Sequence, residues 1–179
     1  MRETLTAHRR ILFSGDNYSK EWQEEAARRG LLNLRDTPSG LSKMTDEKNL
    51  AMFEHYKVLS RRELTARAAI LHQTFSHRLA VESLCLRDMA ATMVLPASIA
   101  CQGRIASSIC AARSASPDLK LGSEEKLLGE VVSGIGRLRE GVAALDHAHH
   151  AAEKAGDEVA TAIAFRDKVR PAMEAVREA

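Results

Sequence analysis

The residues best suited to chemistry in this chain crowd into one short run, Asp146-His147-Ala148-His149-His150, with a second carboxylate at Glu153. On a helix, His149 stands three residues after Asp146 and Glu153 four residues after His149, so imidazole and carboxylate can share a face. That donor set suits zinc, iron or manganese. A di-iron bundle, however, takes Glu-x-x-His from two helices and further carboxylates from the others, and only this one helix offers candidates. The competing reading of His147, His149 and His150 is electrostatic, since histidine near a helix C-terminus complements the negative end of the dipole. His72 and His77 stand apart from any partner motif and are expected to be packing residues.

Two further motifs invite chemistry and lack its essentials. Ser14-Gly15-Asp16-Asn17-Tyr18-Ser19 precedes a helix, where free N–H groups attract anions, but the second glycine and the lysine of a phosphate-binding loop are missing. Turn plus N-cap is the expectation there. No serine lies in the glycine pattern of a nucleophile elbow. The residues alone therefore assign no catalytic, cofactor-binding or metal-binding position.

The elements that must hold these side chains are helices. Ser60 followed by Glu63 is a capping box, and Leu64, Ala68, Leu71, Phe75 and Leu79 recur at spacings of three and four, resumed at Leu86, Met89 and Met93. No Gly or Pro interrupts before Pro96, where a kink is expected, with the helix running on to about Ala112. This rod is the spine. After a loop at Ser114–Gly122, Leu128, Val131, Ile135, Leu138, Val142 and Leu145 form a heptad seam, and Val159, Ala162, Arg166, Val169, Met173 and Val176 form another. Short connections make such neighbours antiparallel. Before Ser60 come shorter pieces: a helix after Arg2, an open stretch at Ile11–Phe13, a helix capped by Ser19 and stopped by Gly30, a turn of helix at Pro38, and a helix capped by Thr45 or Asp46. The expected fold is all-α, a long kinked central helix in an up-down antiparallel bundle with short N-terminal helices packed on it. Residues 1–59 form the N-terminal pieces and residues 60–179 the long-helix bundle, most simply one folded unit.

Composition narrows the class. The 179 residues are 45% hydrophobic and 28% charged, with only 4% aromatic, a skew that favours helices over a β-core. Residues 1–122 carry 18 basic and 13 acidic side chains and residues 123–179 carry 8 and 11, and the scattered basic pairs lack interleaved aromatics. No nucleic-acid surface is expected. Cys85, Cys101 and Cys110 lack C-x-x-C spacing and read as reduced, buried small hydrophobes, hence a cytoplasmic protein. The N-terminus has no apolar core of a signal sequence and no run of 18 apolar residues occurs, so neither export nor a membrane span is expected.

One stretch carries a family resemblance. Arg10–Leu34 resembles the region after the catalytic domain in type III glutamine synthetases. The family's I-x-F-x-G-x-x-Y-S-x-E-W is matched by Ile11, Phe13, Gly15, Tyr18, Ser19, Glu21 and Trp22. Its E-A-x-x-R-G-L-x-N-L is matched by Glu25, Ala26, Arg29, Gly30, Leu31, Asn33 and Leu34. Leu59-Ser60-Arg61-Arg62-Glu63-Leu64-Thr65-Ala66-Arg67 is similar to its L-S-x-x-E-L-x-S-R, and Val81-Glu82-Ser83 to its I-E-A. The chain departs at Asp16-Asn17, where a second glycine is common, and at Ala66, where serine is common. The resemblance implies a parent enzyme that joins glutamate and ammonia using ATP and Mg or Mn, assembled as stacked hexameric rings. The catalytic residues it implies lie upstream of the family's equivalent of Met1, so none transfers here and no cofactor is expected in this chain. The chain then reads as a C-terminal structural and assembly domain, partnered by other subunits of the parent oligomer or by a second copy of itself. The alternative is an independent helical module that binds a metal or another protein's helix.

Overall fold

A computed structural model describes residues 2–179. Among them every regular element is helical. Four short helices lead in: α1 (Arg2–Ala7), α2 (Lys20–Arg28), α3 (Thr37–Ser42) and α4 (Glu47–His55). Their boundaries follow local chemistry. The Ser19 hydroxyl accepts from the Trp22 N–H and the Asp36 carboxylate from the Ser39 N–H, and α2 ends before Gly30 at φ 69°. Ile11, left open by the sequence, closes a single 3₁₀ turn with Arg9 and Arg10.

The spine is α5 (Arg61–Met89), one π-helical turn (Ala90–Val94) and α6 (Leu95–Ala115). The Ser60 capping box is present in full. The expected disturbance at Pro96 is displaced one turn upstream, for a physical reason. A proline inside an α-helix removes a donor and presses on the carbonyl four residues back. Widening the preceding turn, so that the Leu95 N–H donates to the Ala90 carbonyl, absorbs that conflict without breaking the rod. Pro171 is treated alike: the turn Phe165–Val169 is π-helical and the Arg170 N–H donates to the Phe165 carbonyl. It joins α8 (Glu158–Ala164) to α9 (Arg170–Glu178). Between the two bent rods runs α7 (Gly122–Glu153), unbroken despite five glycines.

The core lies where the α8–α9 rod packs against both α5 and α7. Leu138, Leu145 and Ala152 of α7 meet Ala164, Phe165, Val169, Met173 and Val176, with Ala90 closing one end. The two C-terminal seams face inward, with Leu128, Val131, Ile135, Val142 and Arg166 half-buried, except that Val159 at the start of the second is 37% exposed. Of the spine's expected stripe, Leu64 and Ala68 are buried and Phe75, Leu79 and Leu86 pack against the core. Leu71, Met89 and Met93 point outward, at 43%, 53% and 62% exposure, and the buried line is Leu64, Ala68, His72, Ser76, Ser83 and Ala90. Small and hydroxylated residues win this face because a thin face lets α8 approach, and Ser76 and Ser83 satisfy their hydroxyls on backbone carbonyls three or four residues back.

The cysteines correct another expectation. All three are free, but Cys85 and Cys110 are exposed and Cys101 half-buried, because the outer face of α5–α6 has no neighbour here. That face also contains one segment that is long and apolar enough, by composition, to cross a membrane, with mean hydropathy 1.4 and only 6% of the window buried. It escaped the sequence criterion because Arg87, Asp88 and Thr92 are among the polar residues that break the apolar run.

Met173 has no exposed surface to speak of and sits in the middle of the core. Met173→Ala is expected to lower the unfolding free energy by about 2–4 kcal/mol, read as a reduced urea midpoint with an unchanged slope.

Candidate functional site

The histidine run lands on the last turns of α7, and the helix splits it by face. His149 turns inward at 5% exposure. Its Nδ1 shares a 2.7 Å hydrogen bond with the Ser83 Oγ of α5, its Nε2 lies 3.4 Å from Glu153 Oε1, and the Phe165 ring meets it edge-on at 5.6 Å. Serine, imidazole and carboxylate thus stand in line, but the Ser83 hydroxyl is as buried as the ring, so no substrate reaches it. The arrangement is a polar rivet between α5 and α7. It closes without an orphaned group: when Ser83 donates to Nδ1, the Nε2–H is free for Glu153, and when Nδ1 carries a proton Ser83 turns to the Ala80 carbonyl at 2.8 Å.

Asp146 does not join that cluster. It faces α5, 3.1 Å from the Arg87 guanidinium, and 3.6 Å from His150 on its own helix. Arg87 also holds Asp88 at 3.1 Å. His147 is exposed. Among the described residues, no three His, Cys, Asp or Glu side chains converge as a metal site would require. His72 is a packing residue, its Nδ1 on the Ala68 carbonyl at 2.8 Å and its Nε2 3.4 Å from the Pro38 carbonyl, so it seats α3 on the spine. His77 lines a cleft of about 390 Å³ with Gln73, Glu153, Asp157 and Glu158. At the N-terminus, Ser14–Ser19 is turn plus cap: the Tyr18 N–H donates to Asp16 and Ser19 bonds the Asp16 carbonyl. Beneath it Phe13 stacks on Trp22 at 4.5 Å, and Arg29 covers Trp22 while donating to the Arg10 and Leu12 carbonyls.

One polar junction went unread in the sequence. Arg166, at an apolar position of the third seam, reaches back 130 residues to Asp36 Oδ1 and Ser39 Oγ, both at 2.8 Å, while its Nε holds Asp167 at 2.7 Å. The signal was an arginine in a heptad position that should be apolar. Its guanidinium hydrogen bonds hold the Asp36 and Asp167 carboxyls below their ordinary range. The junction pins the lead-in helices to the bundle.

Comparison with known proteins gives these elements a family. The family model described as "Glutamine synthetase C-terminal domain" matches residues 1–113. A "Type-3 glutamine synthetase" of Dictyostelium discoideum is 40% identical over 109 residues, covering 61% of this chain and 15% of that protein. A "Glutamine synthetase" of Bacteroides fragilis is 26% identical over 182 residues, 99% of this chain and 25% of its own length. A third, from Butyrivibrio fibrisolvens, is 36% identical over 89 residues, half of this chain and 13% of its own. The chain therefore spans at most a quarter of the length of these relatives.

Two measurements address the polar contacts. Ser83→Ala strands a buried imidazole nitrogen and is expected to cost about 1–3 kcal/mol. In a His149→Phe background the same change should cost clearly less, a coupling readable by a double-mutant cycle in urea. For the junction, a carboxyl whose folded pKa is depressed stabilises the fold above its unfolded value of about 4 and loses that contribution as pH falls through the lower folded value. Arg166→Met is expected to lower stability at neutral pH and to flatten its decline across roughly pH 2–5. With the helical bundle, the interior rivet and the matched segment all on one polypeptide, the chain belongs to the glutamine synthetase C-terminal domain family.

Proposed function

We propose that this chain is the C-terminal structural and assembly domain of a type III glutamine synthetase and has no ligase activity of its own. The observation that carries the reading is the 40% identity to a relative named type-3 glutamine synthetase, over a segment that amounts to 15% of that relative. Supporting it, the polar clusters within this fold serve packing: Ser83–His149–Glu153 is interior, and Arg166–Asp36–Ser39 ties segment to segment. The parent's ATP, Mg or Mn and glutamate would then be held by other parts of the polypeptide, in a cytoplasmic enzyme, and the partners of this domain would be neighbouring subunits.

The direct test incubates the purified chain with glutamate, ATP, ammonia and Mn²⁺ and measures glutamine. None is expected, and turnover above a heat-killed control overturns the reading. The assembly role is tested in a full-length type III enzyme lacking the segment equivalent to residues 60–179. Sedimentation should show smaller particles than the intact enzyme, and particles of unchanged subunit number would remove the assembly role.

A further inference from the structure

The inner seam of α7 faces α6 and α9, and the Ala179 carbonyl lies 3.6 Å from the position a Cβ would take at Gly134. On the outer side runs a second line at spacings of four and three: Glu125, Gly129, Val132, Gly136, Arg139 and Ala143. Every one of these is exposed, and Val132 is exposed by 48%.

Two features of this line lack an explanation inside the chain. Gly129 and Gly136 sit mid-helix, where each costs about 1 kcal/mol against alanine. A Cβ at either would meet nothing within 4 Å, as at Gly103 on the adjoining α6. No neighbour in this chain requires them to be glycine, whereas a second helix approaching closely would. The order of side chains then points to the approaching helix. Read in either direction from Val132, the line runs glycine and then charge, with Glu125 on one side and Arg139 on the other. An antiparallel copy centred on Val132 places Gly129 over Gly136, Val132 over Val132, and each Glu125, which Arg113 of α6 already contacts, beside the other copy's Arg139. This is the self-complementarity that a two-fold interface demands.

The extent is adequate. Glu125 to Ala143 spans about 28 Å at 1.5 Å per residue, and with α6 alongside the face is two helices, about 20 Å, wide. A projected area of about 560 Å² approaches the roughly 800 Å² of accessible surface per partner in a standard interface. A lipid surface fits less well, because Arg139 of α7 and the Arg113–Glu125 ion pair would enter the bilayer with the apolar part of α6.

We infer that the outer face of α7 pairs antiparallel with the same face of a second copy, centred on Val132. The inference rests on the assembly reading above and names the partner as another copy of this domain.

The experiment is light scattering on the 179-residue chain over a concentration series, with helicity checked by circular dichroism. The chain is expected to dimerise and Val132→Glu to be monomeric with unchanged helicity. Arg139→Glu should weaken association about tenfold and the Glu125→Arg/Arg139→Glu pair should recover it. Register is read by oxidative cross-linking in a background with Cys85, Cys101 and Cys110 replaced by serine. Val132→Cys should link to itself, and Gly129→Cys should link to Gly136→Cys in a mixture. A monomer at every concentration, a dimer unaffected by Val132→Glu, or flotation with anionic vesicles instead of self-association overturns the pairing. None of these outcomes bears on glutamine formation, which decides the parent reading separately.

Discussion

Everything in this fold depends on burying one rod between two others. Phe165, Val169, Met173 and Val176 carry the apolar surface that neither α5 nor α7 can bury against the other alone, and they meet Leu138, Leu145 and Ala152 on one side and the thin face of α5 on the other. Few large side chains share the work. A chain with 4% aromatics cannot cement a core with rings, so it relies on close approach of helices through alanine, serine and glycine. Close approach in turn demands that each buried polar atom find a partner, and in the described residues each does.

That demand explains the two interior polar contacts. Ser83 is small enough to let α7 lie close and polar enough to bond the one imidazole of the α7 run that turns inward, so packing and hydrogen bonding are solved by the same pair. Arg166 shows the other solution, in which a long stem covers apolar surface while the guanidinium satisfies Asp36, Ser39 and Asp167 at the rim. Both contacts tie together elements far apart in sequence.

The helices, their order and most boundaries were legible because they rest on local rules: the Ser60 capping box, the Ser19 cap, the Gly30 stop and two heptad seams. What was illegible is what local rules do not contain. The exposure of Leu71, Met89 and Met93 could not be seen from the apolar stripe of α5, because periodicity ranks them above His72, Ser76 and Ser83, and only the neighbour's shape selects the thinner side chains. The fate of Asp146 and His149 was ambiguous for a related reason, since i and i+3 positions share a face only until tertiary partners divide it between Arg87 and Ser83. Arg166 was visible as an arginine out of place, but Asp36 lies 130 residues away and no periodicity links them.

The π-helical turns at Ala90–Val94 and Phe165–Val169 each hold one residue more than an α-helical path between the same two points would need. Each is, in effect, an insertion accommodated without a loop. Loss of a single residue from Ala90–Val94 would restore ordinary winding between α5 and α6. It would also set Pro96 against the carbonyl four residues behind it. The length of the chain around this turn is therefore constrained to the residue, in a region where substitutions of one small side chain for another would leave the backbone undisturbed.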